Sequence, residues 1–229
     1  MKKVPNPRQR VEESFNEVRS RAPRMTPADR EAVIVQLAVE HFAEEGFEGT
    51  TRDLAAKIGV TQSLLYKYFP NKEALLEKVY ERVYVGRWDA EWEHLIVDRS
   101  LPLTARLKRF YLMYSDVMLQ KDWVRILVFA GLKQSGINEK LFRRLREKIF
   151  RKVIEELHHD LKLSQQSTKA EAEIELELVW ALHASIFYIG MRRWIYGQAI
   201  YAAESPNTEQ EIIRDRVQSY LHSAKSLFA

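Results

Sequence analysis

The 229-residue chain contains no cysteine, which excludes disulfide bridges, thiol nucleophiles and cysteine-based zinc sites. Glycine and proline are scarce, eight and seven respectively. They stand at segment edges, so little interrupts the helical spacing of apolar residues. No apolar run follows the charged start Met1-Lys2-Lys3-Val4-Pro5, so no secretory signal is read there. The longest apolar stretch, roughly Leu178 to Met191, is interrupted by His183 and closed by Arg192-Arg193. A membrane span needs about 20 apolar residues, so this stretch reads as a buried helix. These absences predict a soluble, cytoplasmic protein with no membrane partner. With 46% hydrophobic residues the chain can bury a real core.

Charge is unevenly placed. Residues 1–24 carry seven basic and three acidic side chains, which accounts for the whole net charge of +4. A basic arm beside a neutral body suits a polyanion near the N-terminus, and equally a solvated tail.

The rest reads as a string of helices and predicts an all-α protein of about nine. Thr26-Pro27-Ala28-Asp29 has the marks of a helix start. That helix would carry Val33, Ile34, Leu37, Ala38, His41 and Phe42 on one side and stop at Gly46. Thr50 to Asp53 starts a second helix that ends at Gly59, Thr61 starts a third that Pro70 closes, and Asn71 caps a long fourth reaching about residue 96. Further helices are expected over about 103–120, 122–134, 137–162, 168–198 and 206–228. The implied domains are an arm (1–24), a small helical unit (25–71) and a larger one (72–229), with 72–96 as a linking helix.

Two short helices joined only by Gly59-Val60-Thr61 form the frame of a helix-turn-helix. Apolar Leu54, Ile58, Val60 and Leu65, with small Ala55, would supply its interior. An ordinary αα-hairpin would use the same interior, so the outward chemistry discriminates. Leu65 and Phe69 share the inward stripe, while Ser63 and Lys67 lie roughly opposite, with Tyr66 beside them. Gln62, just inside Thr61, can pair with adenine, Ser63 can bond several bases, and Leu64 can touch a thymine methyl. Tyr66, Tyr68 and Lys72 suit phosphates, and Thr51 and Arg52 at the preceding helix start suit the flanking backbone. Singly, each has a duller role in packing or solvation; together they point to double-stranded DNA.

The stretch TTRDLAAKIGVTQSLLYKYFPNKEALL, residues 50–76, resembles the DNA-binding domain of TetR-type transcriptional regulators. The Leu-Tyr-x-Tyr-Phe run followed by the Asn-Lys-Glu-Ala-Leu-Leu helix start carries the resemblance, which extends over 28–76. It implies that Thr51, Arg52, Gln62, Ser63, Leu64, Tyr66, Tyr68 and Lys72 meet DNA. It also implies a homodimer on a near-palindromic operator, a repressor's role, and a small-molecule effector that releases the DNA. Residues 1–24 would then reach the minor groove or remain a free tail.

In the larger unit, Ile174, Leu178, Ala181, Ser185 and Tyr188 form one stripe of the 168–198 helix, and Trp180, Ala184, Phe187 and Met191 another. The first stripe, with Ile213, Val217, Tyr220, Leu221 and Leu227 of the last helix, is assigned to a subunit interface, as the resemblance also implies. The alternative is that both stripes pack within one protomer. The effector cavity that the resemblance implies would draw on Tyr111, Tyr114, Met118, Trp123, Phe129, Trp180, His183, Phe187 and Met191, although such an aromatic set also describes plain core.

A different reading starts from Glu91-x-x-His94 and Glu155-x-x-His158, with Glu156 and His159 repeating the spacing. Helical bundles hold two irons through such motifs, which makes a di-iron carboxylate enzyme the alternative. Against it, Trp92, Leu95 and Ile96 place the apolar face of the first motif elsewhere. No Ser-His-Asp set or glycine-rich phosphate loop is seen. The expectation is therefore no enzyme, no cofactor and no metal.

Overall fold

The computed structural model describes residues 25–133, 136–163, 168–198 and 208–228; the arm at 1–24 lies outside them. The described residues contain helices and no strands. We number ten: α1 (Pro27–Glu45), α2 (Thr51–Lys57), α3 (Gln62–Tyr68), α4 (Lys72–Tyr80), α5 (Glu91–Val97), α6 (Leu103–Met118), α7 (Lys121–Leu132), α8 (Ile137–Leu145 and Arg151–Leu161), α9 (Lys169–Trp194) and α10 (Thr208–Phe228). A π-helical turn extends α4 over Glu81–Val85, and another joins the two segments of α8 over Arg146–Phe150.

The helix starts follow from local chemistry. Thr26, Thr50 and Thr168 each accept from the third backbone N–H of the helix they cap, while Asp29, Asp53 and Glu171 reach back to the cap. These are reciprocal capping boxes, worth about 1 kcal/mol per cap. Thr61 caps α3 and Asn71 caps α4 through Leu64 N and Ala74 N. Gly59 turns the chain between α2 and α3 at φ +73°, a conformation that costs a side chain energy.

The predicted linking helix to residue 96 does not form as one rod. Gly86 N–H closes the π turn on the Glu81 carbonyl at 2.7 Å. The chain then leaves helical geometry before restarting at α5. Arg87 is held there by the Asp122 carboxylate of α7, Nη1 to Oδ1 at 2.9 Å.

One continuous hydrophobic core runs from α1 to α10. The face of α1 is rotated from the expected one: Val33 is exposed, and Ile34, Val35, Ala38, Val39 and Phe42 are buried. Helix α1 packs on α7, α7 on α9, and α6 against both α5 and α10. At Gly190 of α9 an added Cβ would lie 2.7 Å from Val124 Cγ2 and 3.2 Å from Leu119 Cδ2, so α9 approaches α7 about as closely as backbones allow. Helix α9 is long and apolar enough by composition to cross a membrane. Here Val179, Leu182, Ile186 and Ile189 pack it as a core helix.

Candidate nucleic-acid interface

Leu65 and Phe69 anchor α3 in the core, each almost fully buried, alongside Leu54, Ala55 and Ile58 from the α2 segment. That anchoring turns the other side of α3 outward. Gln62, Ser63, Tyr66 and Lys67 are exposed there, as are Thr61 before them and Arg52 on α2. Lys67 and Arg52 form no ion pair among the described residues, which leaves two cations for an external anion.

Two hydroxyl contacts stiffen this face. Thr51 Oγ1 and Tyr66 Oη are 2.7 Å apart, joining the start of α2 to the outer side of α3. Thr61 Oγ1 lies 3.1 Å from Ser63 Oγ while also accepting from Leu64 N–H. Tyr66 remains 44% exposed, so its hydroxyl is oriented without being removed from solvent. Leu64 and Tyr68 are half-buried against the core.

Lys72 is placed differently from a free phosphate ligand. Its ammonium donates to the Phe47 carbonyl at 2.6 Å and the Gly49 carbonyl at 3.1 Å. The loop before α2 is thereby tied to the start of α4, and one of three N–H donors remains.

A joint between the small unit and the larger one was not expected from sequence. Arg125 of α7 donates through Nε to the Ala43 carbonyl, through Nη2 to Glu44 at 2.9 Å, and through Nη1 to Trp194 at 3.0 Å. One guanidinium thus serves the C-terminal ends of both α1 and α9, where a cation is favoured. It also lies 5.3 Å from the ring centre of Phe129, and that ring would be 3.1 Å from a Cβ at Gly46. Lys121 pairs with Glu44 and Lys133 with Glu48 at the same seam. No spacing in the sequence marks Arg125, because its acceptors are backbone atoms 69 to 82 residues away.

The predicted cavity residues divide. Tyr111, Tyr114, Met118, Trp123 and His183 are buried in the core, while Trp180, Phe187 and Met191 are half-buried. Phe129 belongs instead to the Arg125 joint. An open cleft of about 560 Å³ lies between α1 and α6–α7, lined by Glu40, Arg87, Asp116 and Lys121 among others, and none of the nine candidates borders it. Burial pushes His183 down to about 4 and Tyr114 upward.

The interface prediction needs correction on α10. Ile213, Val217, Tyr220 and Leu221 are buried inside the protomer's own core, because α10 turns that face toward α6 and α9. On α9, Ile174 (49%) and Tyr188 (52%) are exposed, together with Ala181 and Ala184. Leu178 and Ser185 are only half-exposed, so the open stripe is shifted by part of a turn and includes Ala184. Leu227 is also exposed.

The metal motifs do not assemble. Glu156 is taken by Arg99 and Arg106, and His158 contacts Glu175. Among the described residues no group of three or more His, Asp or Glu side chains is arranged to hold a metal.

A family profile described as bacterial regulatory proteins, tetR family, matches residues 34–79, which span α1 to α4. Over α1 to α4 this chain is therefore similar to tetR-family regulatory proteins. Tetracycline repressor protein class C of Escherichia coli is 48% identical to it over 100 residues, 40% of this chain and 43% of that protein. The HTH-type transcriptional regulator YuxN of Bacillus subtilis is 25% identical over 104 residues, 45% of this chain and 35% of that protein. The chain therefore spans less than half the length of these curated relatives. A TetR-family regulator structure from Pseudomonas syringae superposes with a TM-score of 0.57 at 17% identity, covering 86% of this chain and 96% of that one. The TetR fold thus extends through the larger domain, although the family profile matches only residues 34–79.

Proposed function

We propose that this chain is a TetR-family, sequence-specific DNA-binding repressor. It acts as a homodimer on a near-palindromic operator and is released by a small-molecule effector. The carrying observation is the outward face of α3, where Gln62, Ser63 and Lys67 stand exposed on a helix whose opposite side is locked by Leu65 and Phe69. Gln62 and Ser63 supply base-edge hydrogen bonds, Leu64 is the apolar neighbour for a thymine methyl, and Lys67 and Arg52 supply charge for phosphates. Tyr66, held by Thr51, offers its hydroxyl to the backbone from a fixed direction. Tyr68 and Lys72 support the loop and helix beside this face, with Lys72 keeping one donor for a phosphate.

The exposed α9 stripe of Ile174, Ala181, Ala184 and Tyr188 supports pairing of two copies, since small residues permit close helix approach and the flanking side chains would bury apolar area. A two-fold pair carries two α3 helices, hence an operator with two related half-sites. Repression follows the printed role of the tetracycline repressor relative. Effector control works through differential affinity for two domain arrangements. In this chain the route runs from α9 through Arg125 to α1, in place of a continuous linking rod.

Selection of binding sites from random DNA tests the reading. The expected product is a symmetric consensus with two half-sites. Recovery of no enriched sequence, with folded protein, would remove the regulator assignment.

A further inference from the structure

Six buried side-chain polar atoms among the described residues have no hydrogen-bond partner, and three of them cluster: Tyr111 Oη, Tyr114 Oη and His183 Nδ1. Each such orphan is costly relative to a satisfied or apolar group. Two other aromatic side chains avoid this cost. Tyr84 Oη donates to the Trp123 carbonyl, and Trp194 Nε1 donates to the Leu119 carbonyl at 2.7 Å. The other orphaned atoms, on Arg106, Asn138 and Arg144, belong to side chains whose remaining groups are hydrogen-bonded or stacked. Among the described residues, the tyrosine–histidine group gathers three such idle atoms in one place.

Tyr111 and Tyr114 lie one turn apart on the buried face of α6, and the Tyr114 ring centre is 5.7 Å from that of His183 on α9. Aromatic walls enclose the pair. Phe110 stacks on Tyr114 at an interplanar angle of 10°, and Trp92 meets Tyr114 edge-on at 4.9 Å. Phe150 and Trp180 meet His183 edge-on at 5.4 and 5.9 Å. Of these four, only Trp180 is half-buried rather than buried, so it forms the solvent-side wall.

We propose that the space between α6 and α9 at Tyr111, Tyr114 and His183 opens behind Trp180 to bind an uncharged aromatic molecule bearing a hydrogen-bonding oxygen or nitrogen, of the carboxamide or phenol class. The walls select a flat ring. The idle hydroxyls and imidazole nitrogen select a group that both donates and accepts. Charge is selected against: burial alone depresses His183 and raises Tyr114, with no charged neighbour contributing to either, so a carboxylate or ammonium would enter without a counter-ion. Occupancy pairs atoms that are unpaired in the closed state, which is the differential affinity that a switch needs.

This inference rests on the effector reading above and names the ligand chemistry of that switch. The test uses the full chain without DNA and three probes of similar size: benzamide, benzoate and benzylamine, titrated calorimetrically with tryptophan emission recorded in parallel. Benzamide is expected to bind and change the emission, and the two charged probes to bind at least about 10-fold more weakly. Tyr114→Phe is expected to match or exceed the wild type in thermal midpoint without probe, because it deletes an unpaired hydroxyl, and to bind benzamide about 10-fold more weakly. A structural role alone predicts the reverse, a lower midpoint with unchanged binding. No benzamide binding, equal binding by Tyr114→Phe, a lowered midpoint in that variant, or charged probes as tight as benzamide would each overturn the proposal. A failed site selection with intact benzamide binding would remove the repressor and leave this site. The opposite pair of results would remove the site alone.

Discussion

Arg125 Nη1 donates to the Trp194 carbonyl at 3.0 Å, and this bond attaches the end of α9 to a side chain that also holds the end of α1. Arg125→Met is expected to lower unfolding stability by about 2–3 kcal/mol in urea, since charge-assisted hydrogen bonds to several carbonyls are lost. Arg125→Lys should recover only part of this, because an ammonium cannot reproduce the planar fork. Equal midpoints for all three proteins would show that the joint carries no energy.

On the DNA face, Lys67→Ala is expected to weaken all sequences alike and to reduce the salt slope of binding by about one. Gln62→Ala should instead relax preference at one base position in each half-site, by about 1–3 kcal/mol. Lys72→Met separates from both: with its bonds to Phe47 and Gly49 gone, it should lower the urea midpoint as well as affinity. Binding across a salt series and a panel of operator variants distinguishes the three. Identical profiles for Lys67→Ala and Gln62→Ala would contradict the division between backbone and base contacts.

The legible part of this molecule was local. Thr26, Thr50, Thr61, Asn71 and Thr168 begin helices because a side-chain oxygen within three residues settles the matter. The inward phase of α3 is set by Leu65 and Phe69. What stayed hidden depends on distant partners. Helical periodicity marks Ile213 and Val217 as apolar without saying whether their own chain or a second copy covers them. Gly86 and its neighbours sit inside an otherwise helical pattern, so a linking rod was expected where the π turn and the Arg87–Asp122 pair break it. Arg125, whose acceptors are main-chain carbonyls, has no pattern to read.

His183 makes stability depend on pH. Its folded value of about 4 lies below the ordinary 6.5 because burial disfavours the imidazolium. The unfolded chain therefore binds more protons between these values. The His183 contribution is fully present above about pH 6.5 and is lost as pH falls toward 4, roughly 3 kcal/mol in all. Urea unfolding at a series of pH values should show this loss in the wild type and a flatter curve in His183→Gln over the same window. Parallel curves would place the titration elsewhere.

The α9 stripe predicts the oligomer. Ala184→Glu adds a buried charge to each side of a two-fold contact, while Ala184 itself faces solvent in the protomer. Sedimentation should therefore find a folded monomer for the variant and a dimer for the wild type, with operator affinity of the variant reduced at least 100-fold. A variant that remains a dimer would assign the pairing surface to another face.

The contact at Gly190 has a mechanical consequence. With Val124 and Leu119 pressed against a bare backbone, α7 and α9 have no room to draw nearer and little to gain by parting. Sliding and pivoting are the displacements left to them. Gly190 is thus a bearing, and Arg125 the crank pin beside it: a turn of α9 is handed to α1, and in the proposed dimer that would change the distance between the two α3 helices.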